Sequence, residues 1–569
     1  MASVTDQSAL FEPPGPGLWS LDTVHFPRPA THFTMELFPQ PARRGFVEAT
    51  ARYGLLLDHI AWAFVQRWAY LCPRPFWSLG AGEELTRRSW EARVDSTPAL
   101  RARLATSSRV FQERRWQEEV RQWDDRIKPA MRESHLMLQA VDPSNLDVDG
   151  LQGHLGRCRQ NLHRAIHEHH RLNVAPVVPA GDFLVHAREW TGRAPATLVP
   201  LVRGDGPFAL GAATELARLA EALRVDPAGD TLLAGEDPDA VLATLATRPG
   251  PVGQAAADYL GLVGHWSAGS GFDVGEPCLA ELPGIVVGTI RVALDSRVGG
   301  PASDAPEEEA AERTAEVRAD VPPSARGTFD ELLGEARASH RVRDERATYC
   351  DVWAYGLARR AILAAGERLA GSGTIDEPAH LVEAGHLEMR SLLADGAGPS
   401  AKELAARARY RADAREEVAP GVLGGPPPTP VPTEWLPEGA ARTERAFRAY
   451  VAAMSEGTPA PEKTAVTGMA ASPGIYEGRA CVVRTADELA RIGRGDVLVT
   501  GSTTPAFNAV LPLVGAIVTD RGGLLSHAAI VAREYGIPAV VGTGDATRRV
   551  QDGDRVVVDG GLGQVDVRT

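Results

Sequence analysis

The segment Thr519-Asp-Arg-Gly-Gly-Leu-Leu-Ser-His-Ala-Ala-Ile-Val-Ala-Arg533 decides the fold at the C-terminal end of this chain. Its two adjacent glycines let the backbone turn sharply, and Ser526 is a good N-cap for a helix that follows. His527 is therefore predicted in the first turn of a helix. A helix N-terminus offers free N–H groups and partial positive charge, which suits a phosphate. The pattern favours a histidine that carries a phosphoryl group.

Further groups around this turn are predicted to bind the phosphoryl oxygens. The two arginines of the segment offer charge-assisted hydrogen bonds, and the glycines allow the backbone to approach a ligand closely. An alternative interpretation is a Gly-Gly turn that caps an ordinary helix, with the histidine merely near the surface. The predicted phosphate-binding residues are Thr519, Arg521, Gly522, Gly523, Ser526 and Arg533, with His527 as the carrier.

This segment resembles the mobile phosphohistidine, or swivelling, domain of pyruvate phosphate dikinase, phosphoenolpyruvate synthase and rifampin phosphotransferase. The signature of that family is roughly Thr-x-x-Gly-Gly-x-x-Ser-His-Ala-Ala-x-x-Ala-Arg, and the chain matches it at each defined position. Ala471-Ser-Pro-Gly-Ile475 and Gly536-Ile-Pro-Ala-Val-Val-Gly542 are also similar to the family. The resemblance implies a small α/β swivelling domain over 465–569. Its strands are predicted at 480–484, 496–500, 516–519, 539–542 and 555–559, and its helices at 486–491, 505–512 and 526–535.

Composition sets limits on the rest of the chain. The net charge of −14 over 569 residues argues against nucleic acid as a partner. The start lacks a signal peptide, and no run of 18 apolar residues occurs, so we expect a soluble cytoplasmic protein with no membrane contact. The five cysteines form no CxxC pair, and no metal site is predicted.

Lysine is scarce, which bears on the phosphoryl donor. Only Lys128, Lys402 and Lys463 stand beside 57 arginines, and no P-loop is present. The ATP-binding module that the resembled family carries is not recognisable, and no βα repeat supplies a barrel for phosphoenolpyruvate. We therefore expect ATP with Mg²⁺ to be used by a separate subunit, with neither bound tightly by this chain.

The region before 455 is predicted to be largely helical, a substrate-binding domain over 1–454. Residues 455–464, with Gly457, Pro459 and Pro461, form the predicted hinge to the swivelling domain. Residues 296–325 are acidic and are predicted as a loop or a solvated helix. Helical segments are predicted at 45–70, 97–140, 147–172, 208–224, 237–264, 326–372, 376–418 and 438–455.

Two segments of this region resemble the substrate-binding domain of rifampin phosphotransferase-like proteins. They are Trp19-Ser-Leu-Asp-Thr-Val-His-Phe-Pro-Arg-Pro29 and Arg343-Asp-Glu-Arg-Ala-Thr-Tyr-Cys-Asp351. The family often has Arg-Glu where this chain has Arg343 and Asp344. The resemblance implies that Arg343 steadies the transferred phosphoryl. Asp344 or Glu345 would then take the proton of the acceptor hydroxyl.

Other polar and aromatic residues are candidates for a substrate pocket. His163, His167 and His170 recur at helical spacing beside His169, a pattern that fits a polar helix edge, a pocket or a metal site, in that order of preference. Aromatic residues such as Trp62 and Trp68 are more often core than ligand platform. The pocket residues predicted are His169, His170, Asp182, Arg346 and Trp68.

Together these features predict a phosphotransfer component. His527 takes up a phosphoryl group and delivers it to the hydroxyl of a small alcohol or phenol in the helical domain. In one alternative, phosphorylation only activates a hydroxyl that then leaves, giving a dehydratase or cyclase. In a second, the chain is a non-catalytic phosphohistidine carrier.

Overall fold

The fold is mostly helical up to residue 455 and mixed α/β after it, as predicted. The computed structural model describes residues 11–78, 83–202, 212–295, 305–414, 418–455, 466–503, 507 and 510–568. The helices are α1 His32–Leu37, α2 Pro39–Tyr53, α3 Arg87–Ser96, α4 Pro98–Ser107, α5 Val110–Glu113, α6 Arg115–Gln122, α7 Lys128–Gln139, α8 Val148–Arg171, α9 Val177–Thr191, α10 Pro195–Leu198, α11 Ala212–Val225, α12 Gly229–Leu232, α13 Pro238–Thr247, α14 Pro251–Val263, α15 Pro283–Asp295, α16 Ala305–Asp320, α17 Arg326–Arg346, α18 Trp353–Gly371, α19 His386–Asp395, α20 Ala401–Asp413, α21 Glu438–Ser455, α22 His527–Tyr535 and α23 Ala546–Arg549.

Two sheets organise the strands of the described residues. A four-stranded antiparallel sheet has the order β2-β3-β1-β4, and an eight-stranded mixed sheet has the order β5-β12-β11-β7-β8-β9-β10-β6. In the larger sheet β7, β8, β9 and β10 run parallel. The strands are β1 Leu18–Leu21, β2 Leu57–Val65, β3 Trp68–Pro75, β4 Val422–Gly424, β5 Val466–Thr467, β6 Met469–Ser472, β7 Ile475–Val483, β8 Val497–Thr500, β9 Ala516–Thr519, β10 Ala539–Val541, β11 Arg555–Asp559 and β12 Gln564–Arg568.

The chain divides into two compact units. The first comprises residues 1–185, 272–275 and 334–450, and the second comprises 186–271, 276–333 and 451–569. Three of the five unit boundaries fall inside helices, namely α9, α17 and α21, and the other two flank residues 272–275. The second unit therefore contains most of 186–333 together with the C-terminal sheet, whereas a single boundary at 455–464 was predicted.

In the second unit both faces of the parallel strands are buried, as parallel sheets require. One face packs Val482, Val499 and Val518 in an aliphatic layer with the neighbouring strands. The opposite face packs Leu498 and Ile517 in a core shared with helices α11–α15. Successive residues of each strand alternate between these two layers because side chains alternate across a strand. All five C-terminal strands predicted from the sequence are confirmed.

Several helices predicted in the first 455 residues are confirmed, and others are wrong in part. The helices predicted at 147–172 and 438–455 are confirmed as α8 and α21. The segment 45–70 is helical only to Tyr53, because β2 and β3 then form a hairpin. Its two-residue turn, Gln66-Arg67, has positive φ at both positions, as such a turn requires. The predicted helix 237–264 breaks at Pro251 into α13 and α14.

The predicted helical pair 326–372 and 376–418 is also interrupted. A π-helical turn at Ala347–Val352 separates α17 from α18. Residues 378–383 form a 3-10 turn, and Gly396, with φ of 73°, ends α19 before α20 begins. Within the predicted acidic segment 296–325, α16 covers residues 305–320 and a 3-10 turn follows at Pro323–Ala325. Residues 296–304 lie outside the described part.

Some predictions fall outside the described residues. These are the hinge at 455–464 except its first residue, the first residues of the helix predicted at 208–224, and most of the helix predicted at 505–512. Among the described helices, none is both long and apolar enough to cross a membrane.

Candidate functional site

His527 lies where the parallel strands of the second unit end. The loops that follow β8 and β9 leave the sheet at its carboxyl edge, where ligands of open α/β sheets bind. The loop after β9 contains Gly522, whose φ of 115° only glycine adopts readily. It ends at Ser526, whose hydroxyl accepts a hydrogen bond from the Ala529 N–H and caps α22. His527 is therefore the first residue of the helix, as predicted.

The loop after β8 supplies a partner for the histidine. Thr503 Oγ1 lies 2.9 Å from His527 Nδ1, and both side chains are buried. A hydroxyl that accepts from Nδ1–H fixes the neutral tautomer with its lone pair on Nε2. In that tautomer the lone pair on Nε2 can act as a nucleophile. Sequence reasoning did not select Thr503, although its position just after the predicted strand 496–500 was a usable signal.

The structure gives several predicted phosphate-binding residues contacts within the protein. Thr519 is fully buried, and its hydroxyl donates to the Arg521 carbonyl oxygen at 2.8 Å. The Arg533 guanidinium donates to the Ala471 carbonyl oxygen at 2.7 Å and also to that of Leu524. These contacts tie α22 to its preceding loop and to β6. Arg521 is half-buried, and its N–H donates to the Gly501 carbonyl oxygen at 2.9 Å.

Gly523 allows another segment of the protein to pack closely against the loop. A Cβ atom at this position would lie 2.6 Å from the Ala453 carbonyl oxygen and 2.9 Å from that of Met454. Both belong to the last turn of α21, immediately before the predicted hinge. The glycine pair therefore combines a turn at Gly522 with close packing of a neighbouring helix end at Gly523.

A second cluster of polar side chains lies in the first unit, where α8 packs against the π-helical turn after α17. The Arg346 guanidinium donates from Nη1 to the His169 carbonyl oxygen at 2.9 Å. The His169 and His170 ring centroids lie 4.7 Å apart. Of the sequence-predicted residues, the structure brings together Arg343, Asp344, Arg346, His169 and His170, all of them interacting through charge within one buried cluster.

Burial determines the protonation states in this cluster. It raises the pKa of Asp344 to about 7, although Arg343 and Arg346 lower it. It also lowers the pKa of Arg346 to about 10. A carboxyl group with a pKa near neutrality is suited to general base catalysis. Asp344 Oδ2 is buried without a hydrogen-bond partner among the described residues, so it is available to a ligand.

His169 and Asp351 form a buried pair in this cluster. His169 Nδ1 lies 2.8 Å from Asp351 Oδ2, at an angle that does not meet hydrogen-bond geometry. Burial drives the pKa of His169 well below its usual value and that of Asp351 well above it. The π-helical turn carries Asp351, and such turns recur at functional sites.

Sequence reasoning missed further members of this cluster. Asp22 accepts from His25 Nδ1 at 2.8 Å and from Trp62 Nε1 at 3.1 Å. Burial opposes a charged His25, but the Asp22 carboxylate outweighs it and raises the pKa of His25. The Phe272 ring lies 4.8 Å from the His25 ring. The resemblance over 19–29 was the signal that pointed to Asp22 and His25.

Three predicted residues lie away from the cluster. The Glu345 carboxylate accepts from Trp123 Nε1, Lys128 Nζ and Arg341 Nη1, each at 2.8 Å, so it is already engaged in a structural network. The Asp182 carboxylate accepts from Arg442 Nε at 2.8 Å and from Arg442 Nη2 at 2.7 Å. Trp68 is part of a separate hydrophobic core.

The strand geometry explains the position of Trp68. Trp68 pairs with Val65 across the hairpin, and Trp62 pairs with Leu71. Because side chains alternate across a strand, Trp62 and Trp68 lie on opposite faces of the sheet. Trp62 reaches the polar cluster, with its ring 5.2 Å from that of His170.

The other two histidines of the predicted set, His163 and His167, are half-buried and lie against residues of α2. His163 Nε2 contacts Gln40 Oε1 at 2.7 Å, and His167 Nε2 lies 3.2 Å from Glu48. In the part of the chain that the structure describes, no three histidine, cysteine or carboxylate side chains gather as a metal site.

Two family models match parts of the chain. Residues 492–563 match the mobile domain of PEP-utilising enzymes, and residues 183–344 match the fourth domain of rifampicin phosphotransferase. The chain thus contains a PEP-utiliser mobile domain, which carries His527, and a rifampicin phosphotransferase-like fourth domain. The resemblance inferred from the sequence is confirmed.

Individual relatives match parts of the chain. An uncharacterised phosphotransferase of Bacillus subtilis, YvkC, is 36% identical over 247 residues, which are 43% of this chain and 28% of that protein. The phosphoenolpyruvate synthase of Aeropyrum pernix is 54% identical over 101 residues, 18% of this chain and 12% of the synthase. The chondramide synthase of Chondromyces crocatus is 44% identical over 108 residues, 19% of this chain and 3% of the synthase. The chain therefore spans less than a third of the length of each of these relatives.

Proposed function

We propose that this chain is the phosphotransfer component of a small-molecule phosphotransferase. In this proposal His527 carries the phosphoryl group and delivers it to a substrate hydroxyl at the cluster of Arg343 and Asp344. The observation that carries the proposal is the capped histidine at the carboxyl edge of the sheet, with Thr503 at its Nδ1. The match of 492–563 to the PEP-utiliser mobile domain supports it.

In the charging step, His527 Nε2 attacks the phosphorus of the donor. The bond from the leaving group to phosphorus breaks, and the ring becomes a phosphoimidazolium that keeps its proton on Nδ1. Thr503 accepts that proton's hydrogen bond throughout, so the ring does not need to reorient. The free N–H groups at the start of α22 favour the negative charge that arrives.

In the delivery step, the oxygen of the acceptor hydroxyl attacks the phosphorus and the Nε2–P bond breaks. The hydroxyl proton passes to the Asp344 carboxylate, and His527 returns to its neutral form with the proton on Nδ1. Arg343 balances the charge of the phosphoryl oxygens, as cations do in phosphoryl transfer. Burial opposes the charge of Arg343, but Tyr450 and Asp344 outweigh it and raise its pKa, so it stays a cation. Asp344 is the proposed base, in place of Glu345, because the Glu345 carboxylate already accepts three hydrogen bonds.

The donor in this proposal is Mg-ATP, used by a separate subunit. The support is the lack of a P-loop in the sequence and the presence of only three lysines. The acceptor is a small organic alcohol or phenol, because the cluster beside Asp344 combines polar groups with aromatic rings.

A single-turnover experiment tests the proposal without the donor subunit. The full chain is charged with phosphoramidate, a chemical phosphoryl donor for histidine, and freed of excess reagent. A panel of small alcohols and phenols is added, and ³¹P NMR follows the signals. We expect the phosphohistidine signal to decay as a phosphomonoester signal grows, and the His527→Ala chain to show neither. Loss of the phosphoryl group to water alone, at the same rate with and without every acceptor, contradicts the proposal.

A further inference from the structure

The cluster in the first unit contains two buried hydrogen-bond donors that lack an acceptor among the described residues. One is Arg346 Nε, and the other is His170 Nε2. The Asn173 amide donates to His170 Nδ1 at 3.1 Å, so the neutral ring carries its proton on Nε2. Buried donors without acceptors are rare in proteins and costly, so such groups point to a ligand.

The two donors lie in the same cluster, where burial and the charge of Arg346 both lower the pKa of His170. Arg346 Nη1 lies 2.9 Å from the His169 carbonyl oxygen, and His170 is the next residue along α8. Arg346 and His170 are 5% and 3% exposed, so water reaches neither side chain freely. An acceptor with two oxygens satisfies a guanidinium N–H and an imidazole N–H together, and a carboxylate has this geometry.

The charges of the cluster favour an anion at this position. Burial lowers the pKa of Arg346 only to about 10, so its guanidinium stays a cation. Burial also raises the pKa of Asp351 well above its usual value and lowers that of His169 well below its usual value. His25 Nδ1 already contacts the Asp22 carboxylate at 2.8 Å. A buried guanidinium such as that of Arg346 is costly when burial also disfavours the ionised form of a nearby carboxyl group, and a bound anion relieves that cost.

The walls around these donors are aromatic. The His170 ring lies 5.1 Å from the Phe46 ring and 5.6 Å from the Phe38 ring, and Trp62 lies 5.2 Å away. Phe272 faces the His169 ring at 5.7 Å. Ligand sites of this kind hold a flat, apolar body and use a few polar groups to orient it.

We propose that the acceptor substrate is a hydroxy acid with a planar apolar body, whose carboxylate binds Arg346 Nε and His170 Nε2. Its hydroxyl then points to Asp344 and takes the phosphoryl group. The two arginines have different roles. Arg346 binds the substrate carboxylate, and Arg343 binds the phosphoryl group. This inference rests on the proposed function for the identity of the reaction, but the carboxylate site itself is tested by binding alone.

The test compares two probes that differ only in charge. 4-Hydroxybenzoate and 4-hydroxybenzamide have the same ring and hydroxyl, and only the first is an anion. Binding to the full, uncharged chain is measured by isothermal titration calorimetry. We expect the acid to bind about tenfold or more tightly than the amide, the size of a charge-assisted hydrogen bond. In the Arg346→Gln chain that preference is lost. The control is Arg360→Gln, because Arg360 donates to the Gln139 carbonyl oxygen away from the cluster.

Each outcome of this test is decisive. Equal binding of acid and amide to the wild-type chain, or no binding of either at millimolar concentration, overturns the proposal even if the Arg346 variant does not fold. A preference for the acid that survives in Arg346→Gln overturns it as well. Orthophosphate is a further competitor. If it displaces the acid, if its binding also depends on Arg346, and if the acid does not bind more tightly than the amide, the site binds phosphoryl groups. The hydroxy-acid proposal is then wrong. None of these results affects whether His527 accepts a phosphoryl group, so failure here is distinguishable from failure of the proposed function.

Discussion

Asp344→Asn is expected to remove catalysis and, at the same time, stabilise the protein at alkaline pH. The Asp344 carboxyl group is buried, and burial raises its pKa from 3.8 to about 7. A difference of one in pKa corresponds to about 1.4 kcal/mol, so ionising Asp344 in the folded protein costs about 4 kcal/mol of folding free energy. Between pH 4 and pH 7 the folded chain holds a proton that the unfolded chain has lost. The contribution of this group to stability therefore falls as pH rises through that range and stays low above pH 7.

The asparagine variant does not titrate, so the comparison with wild type isolates this group. From pH 5 to pH 8 the wild type loses about 3 kcal/mol of this contribution. The pKa of Asp344 differs by about three between the unfolded and folded chains, and about two of these pH units lie above pH 5. Urea unfolding, followed by tryptophan fluorescence at both pH values, should show the Asn chain gaining about 3 kcal/mol relative to wild type at the higher pH. Asp376→Asn is the matched control, since Asp376 is exposed, and its difference from wild type should change by less than about 0.5 kcal/mol.

The same variant should lose phosphoryl transfer by roughly 10²- to 10⁴-fold, the usual contribution of a general base. In the wild type, kcat/KM should rise with pH and level off above an apparent pKa near 7. If the difference in stability between Asp344→Asn and wild type is the same at pH 5 and pH 8, the carboxyl group does not titrate as argued, and its role as the base fails.

Three further predictions concern the carrier, the donor and the linker. Thr503→Val should slow charging of His527 by phosphoramidate by about tenfold or more, because the tautomer with the Nε2 lone pair is no longer favoured; an unchanged rate in ³¹P NMR would show that Thr503 does not set the tautomer. Calorimetric titration of the purified chain with Mg-ATP should show no stoichiometric micromolar binding, and a clear binding event of that kind would exclude the separate donor subunit. Replacing residues 455–464 with a rigid linker should let phosphohistidine accumulate while product formation stops, since a carrier must visit two sites; if both half-reactions keep wild-type rates, the domain does not need to swivel.

The carrier turn could be predicted from the sequence because neighbouring residues encode it. Gly522, Ser526 and His527 form the turn, the cap and the first helical residue within one short segment. Thr503 lies 24 positions before His527, and only the parallel pairing of β8 with β9 brings it close. No local pattern records that pairing. The carboxyl end of the predicted strand 496–500 was the one available signal.

The acceptor cluster was harder to predict because it draws on distant parts of the chain. Asp22, His170 and Arg346 come from segments separated by more than a hundred residues. The prediction of a helix over 45–70, with a period of 3.6 residues, also gave no indication that Trp62 and Trp68 lie on different faces. A strand has a period of two, which places these residues on opposite faces. The π-helical turn that carries Asp351 was hidden as well, since an apolar pattern does not distinguish it from a continuous helix.

The most direct test of the central claim is to locate the phosphoryl group. The full chain is treated with phosphoramidate, digested under alkaline conditions that preserve phosphohistidine, and mapped by tandem mass spectrometry, while ³¹P NMR of the intact protein reports which ring nitrogen is modified. We expect His527 to be labelled well ahead of the other histidines of the chain, with the phosphoryl group on Nε2, and we expect unfolding of the protein in urea to remove this preference. Labelling of His527 no faster than that of exposed histidines, or labelling on Nδ1, would contradict the claim that this residue is built to carry the phosphoryl group.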